Sequence, residues 1–194
     1  MPDRRILIPI VAGAVIAVVC VVRVLTNKPQ DYADQVKAAV VPRPAPAFEA
    51  LDASNHLVRL GSFLGRHKIL VVFFDGEAGA DKDVPLLRVR ARFAELQAGG
   101  VKVVAVSSAI PQQNRAAMSE DRAGPFPFPL VSDFDPTSAE GTLRIHRQWG
   151  RLDEKTGTTR TGIFLVDRRG QVPFGVAGPK PMADADQAVD AALK

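Results

Sequence analysis

An apolar run, Val71-Val72-Phe73-Phe74, gives way to a polar loop over residues 75–83 and then to a helical pattern from Val84. A helix N-terminus presents unpaired N–H groups and the positive end of the helix dipole, so a nucleophilic anion placed there is stabilised. The loop Asp75-Gly76-Glu77-Ala78-Gly79-Ala80-Asp81-Lys82-Asp83 holds no thiol, hydroxyl or imidazole to exploit that position. Glu77 has the chemistry of a general base or a metal ligand, but a loop carboxylate facing water is the plainer reading. Asp75, Asp81 and Asp83 flank it and offer oxygen ligands for a divalent cation, without the glycine and closing glutamate of a calcium hand.

Other reactive residue types are scattered. The only cysteine, Cys20, lies in an apolar N-terminal run, so no internal disulfide can form. His56, His67 and His146 have neither short ligand spacing nor a cysteine beside them, which argues against a zinc or copper site. Ser107 and Ser108 follow a strand pattern, yet no G-x-S-x-G elbow surrounds them. Trp149 reads as a core anchor at a helix end. No catalytic, cofactor-binding or metal-binding residue is therefore assigned.

The elements that would position this loop follow from patterning. Ile6 to Val22 is free of charge and continues past Arg23 to Leu25, long enough to cross a bilayer as a helix. Leu25-Thr26-Asn27-Lys28-Pro29 offers no small-x-small cleavage site, which favours a retained anchor over a signal peptide. Arg4 and Arg5 precede the span and Arg23 and Lys28 sit at or after its end, so the positive-inside count is close to balanced. The short charged tail before the span favours an internal N-terminus, with the soluble domain on the extracytoplasmic side. Residues 26–47 read as a linker, made stiff by Pro42-Arg43-Pro44-Ala45-Pro46.

The formal charge is +4, but residues 1–25 carry Arg4, Arg5 and Arg23 against Asp3, leaving 22 basic and 20 acidic residues beyond them. That balance, with no basic run and few aromatics, excludes nucleic acid as an expected partner.

Residues 48–194 predict a mixed α/β domain. Phe48–Leu51 and His56–Leu60 form a hairpin around Asp52-Ala53-Ser54-Asn55. Ile69–Phe74 and Val101–Val106 are continuous apolar runs typical of strands covered on both faces. One helix is expected over Val84–Ala98, with Leu86, Val89, Phe93 and Leu96 on one face and Gly99-Gly100 ending it. Helices over Gln112–Arg122, Ser138–Trp149 and Ala183–Leu193, a short strand at Phe128–Val131 and a hairpin of Thr161–Val166 with Gln171–Phe174 complete the order. Strand–helix–strand units make the first two central strands parallel.

Four segments in order resemble peroxiredoxin-like redoxins of the alkyl-hydroperoxide-reductase/thiol-antioxidant (AhpC/TSA) group, within the thioredoxin-like fold. They are Ala45-Pro46-Ala47-Phe48 with Leu51-Asp52, Val58-Arg59-Leu60 with Gly65, Phe128-Pro129-Leu130-Val131-Ser132-Asp133, and Phe164-Leu165-Val166-Asp167 with Gly170. The resemblance implies a thioredoxin-like mixed sheet flanked by helices. It also implies a peroxidatic cysteine preceded by threonine, or a C-x-x-C pair, after the first central strand. Residues 75–85 contain neither, and Glu77 and Ala80 stand near the positions of such a pair. The family's second active-site arginine would fall at Thr161, with Arg160 one residue earlier and so on the opposite face of a strand. The expectation is a single-pass membrane-tethered domain without thiol chemistry or cofactor, acting by binding or assembly with a protein partner. The alternatives are a redoxin-type oxidoreductase of peroxide or disulfide with unlocated chemistry, and a solute-binding domain that uses the old substrate cleft.

Overall fold

The computed structural model describes residues 41–120, 125–135, 142–175, 178–182 and 184–194. These residues fall within one unit of the chain, 40–194. The apolar run at 6–25 lies outside the described residues, and among those described no helix is long and apolar enough to cross a membrane.

The strand β4 (Ile69–Phe73) is buried along its whole length, as its unbroken apolar sequence requires. It pairs in parallel with β5 (Lys102–Ser107), which pairs in parallel with β6 (Leu130–Ser132). On its other side β4 pairs antiparallel with β7 (Gly162–Val166), giving the order β6-β5-β4-β7. The period of two along a strand divides the core. Leu70, Val72, Val103 and Ala105 face one layer with Leu86, Leu96 and Val189, whereas Ile69, Val71, Val104 and Val106 face another with Ile145, Trp149 and Phe164. Each fully buried large apolar side chain contributes about 1.5–3 kcal/mol.

The hairpin of β2 (Glu49–Leu51) and β3 (Leu57–Arg59) turns at Asn55, which takes φ +63°. Asp52 Oδ1 accepts the N–H groups of Ser54 and His56, which fixes that turn. The expected helix over 84–98 is two helices, α1 (Val84–Ala91) and α2 (Phe93–Ala98), separated at Arg92 with φ −102° and ψ 13°. Arg92 bonds to Glu95 and to Asp190 of α5 (Ala185–Leu193), so the break lies where the chain is strapped to the C-terminal helix. These contacts hold the guanidinium above its usual range and the Glu95 carboxyl below its own, mainly through the Arg92–Glu95 hydrogen bond. The helix α3 (Pro111–Glu120) follows β5. Of the helix expected over 138–149, α4 (Arg144–Gln148) is described.

Two expectations need correction. Val41–Pro44, expected within the linker, is extended but is not a spacer: it forms β1, paired antiparallel with β8 (Gln171–Gly175). Proline has no N–H, so the Pro42↔Pro173 pair cannot be hydrogen-bonded, and Val41 and Arg43 must donate instead. Ala45 N–H continues the alternation to Gly170 O at 2.9 Å. The spacing of Pro42, Pro44 and Pro46 thus places a residue with no donor on the free edge of the strand, where it blunts pairing with another chain. The second correction concerns β7 and β8. They share the turn at 167–170, where Asp167 N–H donates to Gln171 O, but β8 then pairs with β1 and with β9 (Gly178–Pro179) and does not extend the central sheet.

Candidate functional site

A cleft of about 940 Å³ opens at the C-terminal ends of β4 and β5. Carboxyl ends of parallel strands are where open α/β sheets bind ligands, because loops diverge there. One wall is the loop 75–82 and another is the turn region 156–161; Ser108–Ala109, α3 and Thr142–Leu143 close the rest.

Carboxylates shape the first wall. Asp75 Oδ1 accepts the N–H groups of Glu77 at 2.9 Å and Ala78 at 3.3 Å. Asp83 is buried and caps α1: its Oδ1 accepts Leu86 N–H at 2.9 Å and its Oδ2 accepts Asp75 N–H at 3.3 Å. The anionic position at the start of this helix is therefore filled by a side chain of the chain itself. Gly76 permits a close approach, since a Cβ there would stand 2.7 Å from Ala109 N and 3.0 Å from Ser108 Oγ. Gly79 takes φ +92°, a conformation that favours glycine.

The two positions expected near a C-x-x-C pair lie in different surroundings. Glu77 is exposed and lines the cleft. Ala80 is fully buried in the core layer that contains Val72 and Leu86, and it does not line the cleft. Thr161 lines the cleft, whereas Arg160 turns to Asp153, with 2.7 Å between its guanidinium and Oδ2. The Asp153 carboxyl is held below its usual range, first by Lys155 N–H and then by Arg160. A bridge between Leu152 and Thr159 closes this segment into a flap. At its base Arg151 donates to Gly150 O and Thr161 O and lies over the Phe164 ring. Burial lowers the Arg151 pKa, with Arg160 adding to the effect.

Sequence reading did not find the buried polar groups behind the cleft. Asp133 accepts the N–H groups of Ile145 and His146 and meets His146 Nδ1 at 2.7 Å. Where Asp133 Oδ2 accepts in this contact, the imidazole donates from Nδ1. Among the described residues His146 Nε2 is buried without a hydrogen-bond partner, and the ring packs edge-on to Phe73 at 5.1 Å. Nearby, Ser107 Oγ donates to Asn114 Oδ1, and Asn114 Nδ2 donates to Ser132 Oγ. No local spacing links residues 133 and 146; only the Ser132-Asp133 segment hints at a cap. His56 and His67 lie elsewhere: His56 is exposed beside Asp52, and His67 is half-buried. Among the described residues no group of three or more His, Cys, Asp or Glu side chains could hold a metal ion.

Comparison with known proteins gives the family and the fold. The alkyl hydroperoxide reductase E proteins of Mycobacterium tuberculosis and Mycobacterium bovis are 28% identical over 130 residues, 67% of this chain and 80% of theirs. Among solved structures, the reduced 2-Cys peroxiredoxin of Plasmodium vivax matches with a TM-score of 0.56 at 18% identity, over 79% of this chain and 96% of its own. A thioredoxin-family thiol:disulfide interchange protein of Chlorobium tepidum matches with a TM-score of 0.53 at 21% identity, over 81% of this chain and all of its own. These structures share the thioredoxin-like fold. Residues 41–174 match the AhpC/TSA family, and the chain, with its single cysteine outside that region, belongs to it.

Proposed function

We propose that this chain is a cysteine-less redoxin domain that acts by binding through its cleft, tethered to a membrane by residues 6–25. The observation that carries the reading is Asp83. Its carboxylate occupies the helix N-terminus at the end of a loop that contains no thiol. Attack on a peroxide or disulfide needs a thiolate, and a carboxylate is a poor nucleophile toward peroxide oxygen and cannot form a disulfide. What the cleft offers is hydrogen bonding: Ser108, Thr158 and Thr161 hydroxyls beside the Glu77 carboxylate and the Lys82 ammonium. These groups suit recognition of a polar ligand or of a segment of a protein partner at the membrane surface.

The alternative is a peroxide or disulfide oxidoreductase, favoured by the name of the mycobacterial relatives. Peroxide consumption by the purified chain with a thiol reductant separates the two. The binding reading expects the uncatalysed rate, unchanged by Cys20→Ser or by thiol-blocking reagents. The tether, with the domain on the extracytoplasmic side, expects retention in the membrane after carbonate extraction and domain cleavage by protease added to intact cells.

A further inference from the structure

The fold collects cations that the sequence disperses. The pairings Ile69↔Lys102 and Ile69↔Val166 bring the start of β4, the start of β5 and the end of β7 to one end of the sheet, opposite the cleft. Lys102 N–H donates to Lys68 O at 2.9 Å. The loop at Leu64–Gly65 packs against the turn at 167–170, since a Cβ on Gly170 would stand 3.5 Å from Gly65 N and from Leu64 Cβ. Arg66, Lys68, Lys102, Arg168 and Arg169 therefore share this pole; Lys68 is half-buried and the other four are exposed. Among the described residues none of the five has an ion-pair partner. Lys68 Nζ donates to the Ala192 carbonyl instead. The carboxylate within the turn, Asp167, is committed to it: its Oδ1 accepts the N–H groups of Arg169 and Gln171.

We propose that this pole is a docking surface for an anionic lipid bilayer. Charge complementarity points to an anionic partner, because five cations and a single carboxylate, itself bound within its turn, leave this end of the sheet with an excess of positive charge. The sequence favours lipid as its source. Fifteen residues, 26–40, separate the apolar run ending at Leu25 from β1. They can reach at most about 55 Å even when fully extended. The strand β1 then runs to Pro44, paired with Gln171 beside the cationic turn. The pole rests on the proposed tether only for its supply of bilayer; its charge is a property of the fold.

The test uses the full chain with vesicles of pure phosphatidylcholine and of an equal mixture with phosphatidylglycerol. Flotation with the neutral vesicles reports the apolar run alone. Hydrogen exchange at 64–69 and 166–170 then reports the pole. Protection in the mixed vesicles, absent in the neutral ones and lost near 1 M salt, where the Debye length falls to about 3 Å, is the expected result. Each cation removed should weaken docking by about fivefold, so R168A/R169A should lose about 25-fold with unchanged thermal melting. Flotation without anionic-specific protection would overturn the docking surface and leave the tether standing. Flotation only with mixed vesicles would support the pole and overturn the tether. Equal protection by a DNA duplex or by neutral vesicles would overturn the lipid assignment.

Discussion

A carboxylate and a thiolate at a helix N-terminus compete for the same N–H donors, and in this chain the Asp83 carboxylate accepts the Leu86 N–H. A cysteine introduced nearby should not become an activated thiol. In E77C the thiol would be exposed on the loop, well before the helix start at Val84; in A80C it would be enclosed in the core, where burial disfavours the thiolate. Alkylation rates against pH should therefore give an ordinary thiol for E77C and a nearly unreactive one for A80C. Asp133 matters to stability for a related reason. Asp133→Ala would strip acceptors from two buried N–H groups and from His146 Nδ1, and should cost about 2–5 kcal/mol in urea denaturation. Gly76→Ala meets a backbone nitrogen at 2.7 Å, which cannot rotate away as a side chain can, and should cost about 1–3 kcal/mol.

At the scale of elements, the flap 151–161 has a pH dependence of known sign. The folded pKa of Asp153 is depressed, so its stabilising contribution is present above the ordinary aspartate value near 3.8 and is lost as pH falls through the lower folded value. Backbone order at Thr156–Thr158, measured by NMR relaxation, should drop only once the pH has fallen below 3.8 in the native chain and show no such step in Asp153→Asn. Strand β1 supports the same half of the molecule. A chain beginning at Ala47 would lose the β1–β8 pairing and the Pro46 carbonyl that accepts Trp149 Nε1–H at 3.2 Å, and should melt at a lower temperature than one beginning at Val41. The central strands and the hairpin were legible because apolar runs and turn residues carry their own local signals. Three features were not. The alternating prolines of β1 read as a spacer because their pairing partner lies about 130 residues away. The break at Arg92 is invisible to a periodicity that runs through it, since the strap to Asp190 is tertiary. The departure of β8 from β7 depends on β1, which the sequence alone does not place.

Across the whole molecule, the mixed sheet separates two surfaces. The cleft forms at the carboxyl ends of β4 and β5, and the cationic pole forms at the other end. The candidate site was legible as a loop with its reactive residue missing. Its second wall was not, because residues 156–161 reach the cleft only through the folded position of the flap. The chain has the AhpC/TSA fold without a thiol in the loop, and the proposed function is that the cleft binds and does not reduce peroxide. The direct test is steady-state peroxide consumption by the purified chain, in its native sequence and as Cys20→Ser, with a thiol reductant in excess. Both forms should match the rate without protein at every peroxide concentration. Saturable turnover by the Cys20→Ser chain would contradict the account and show that another residue has taken over the work of the cysteine.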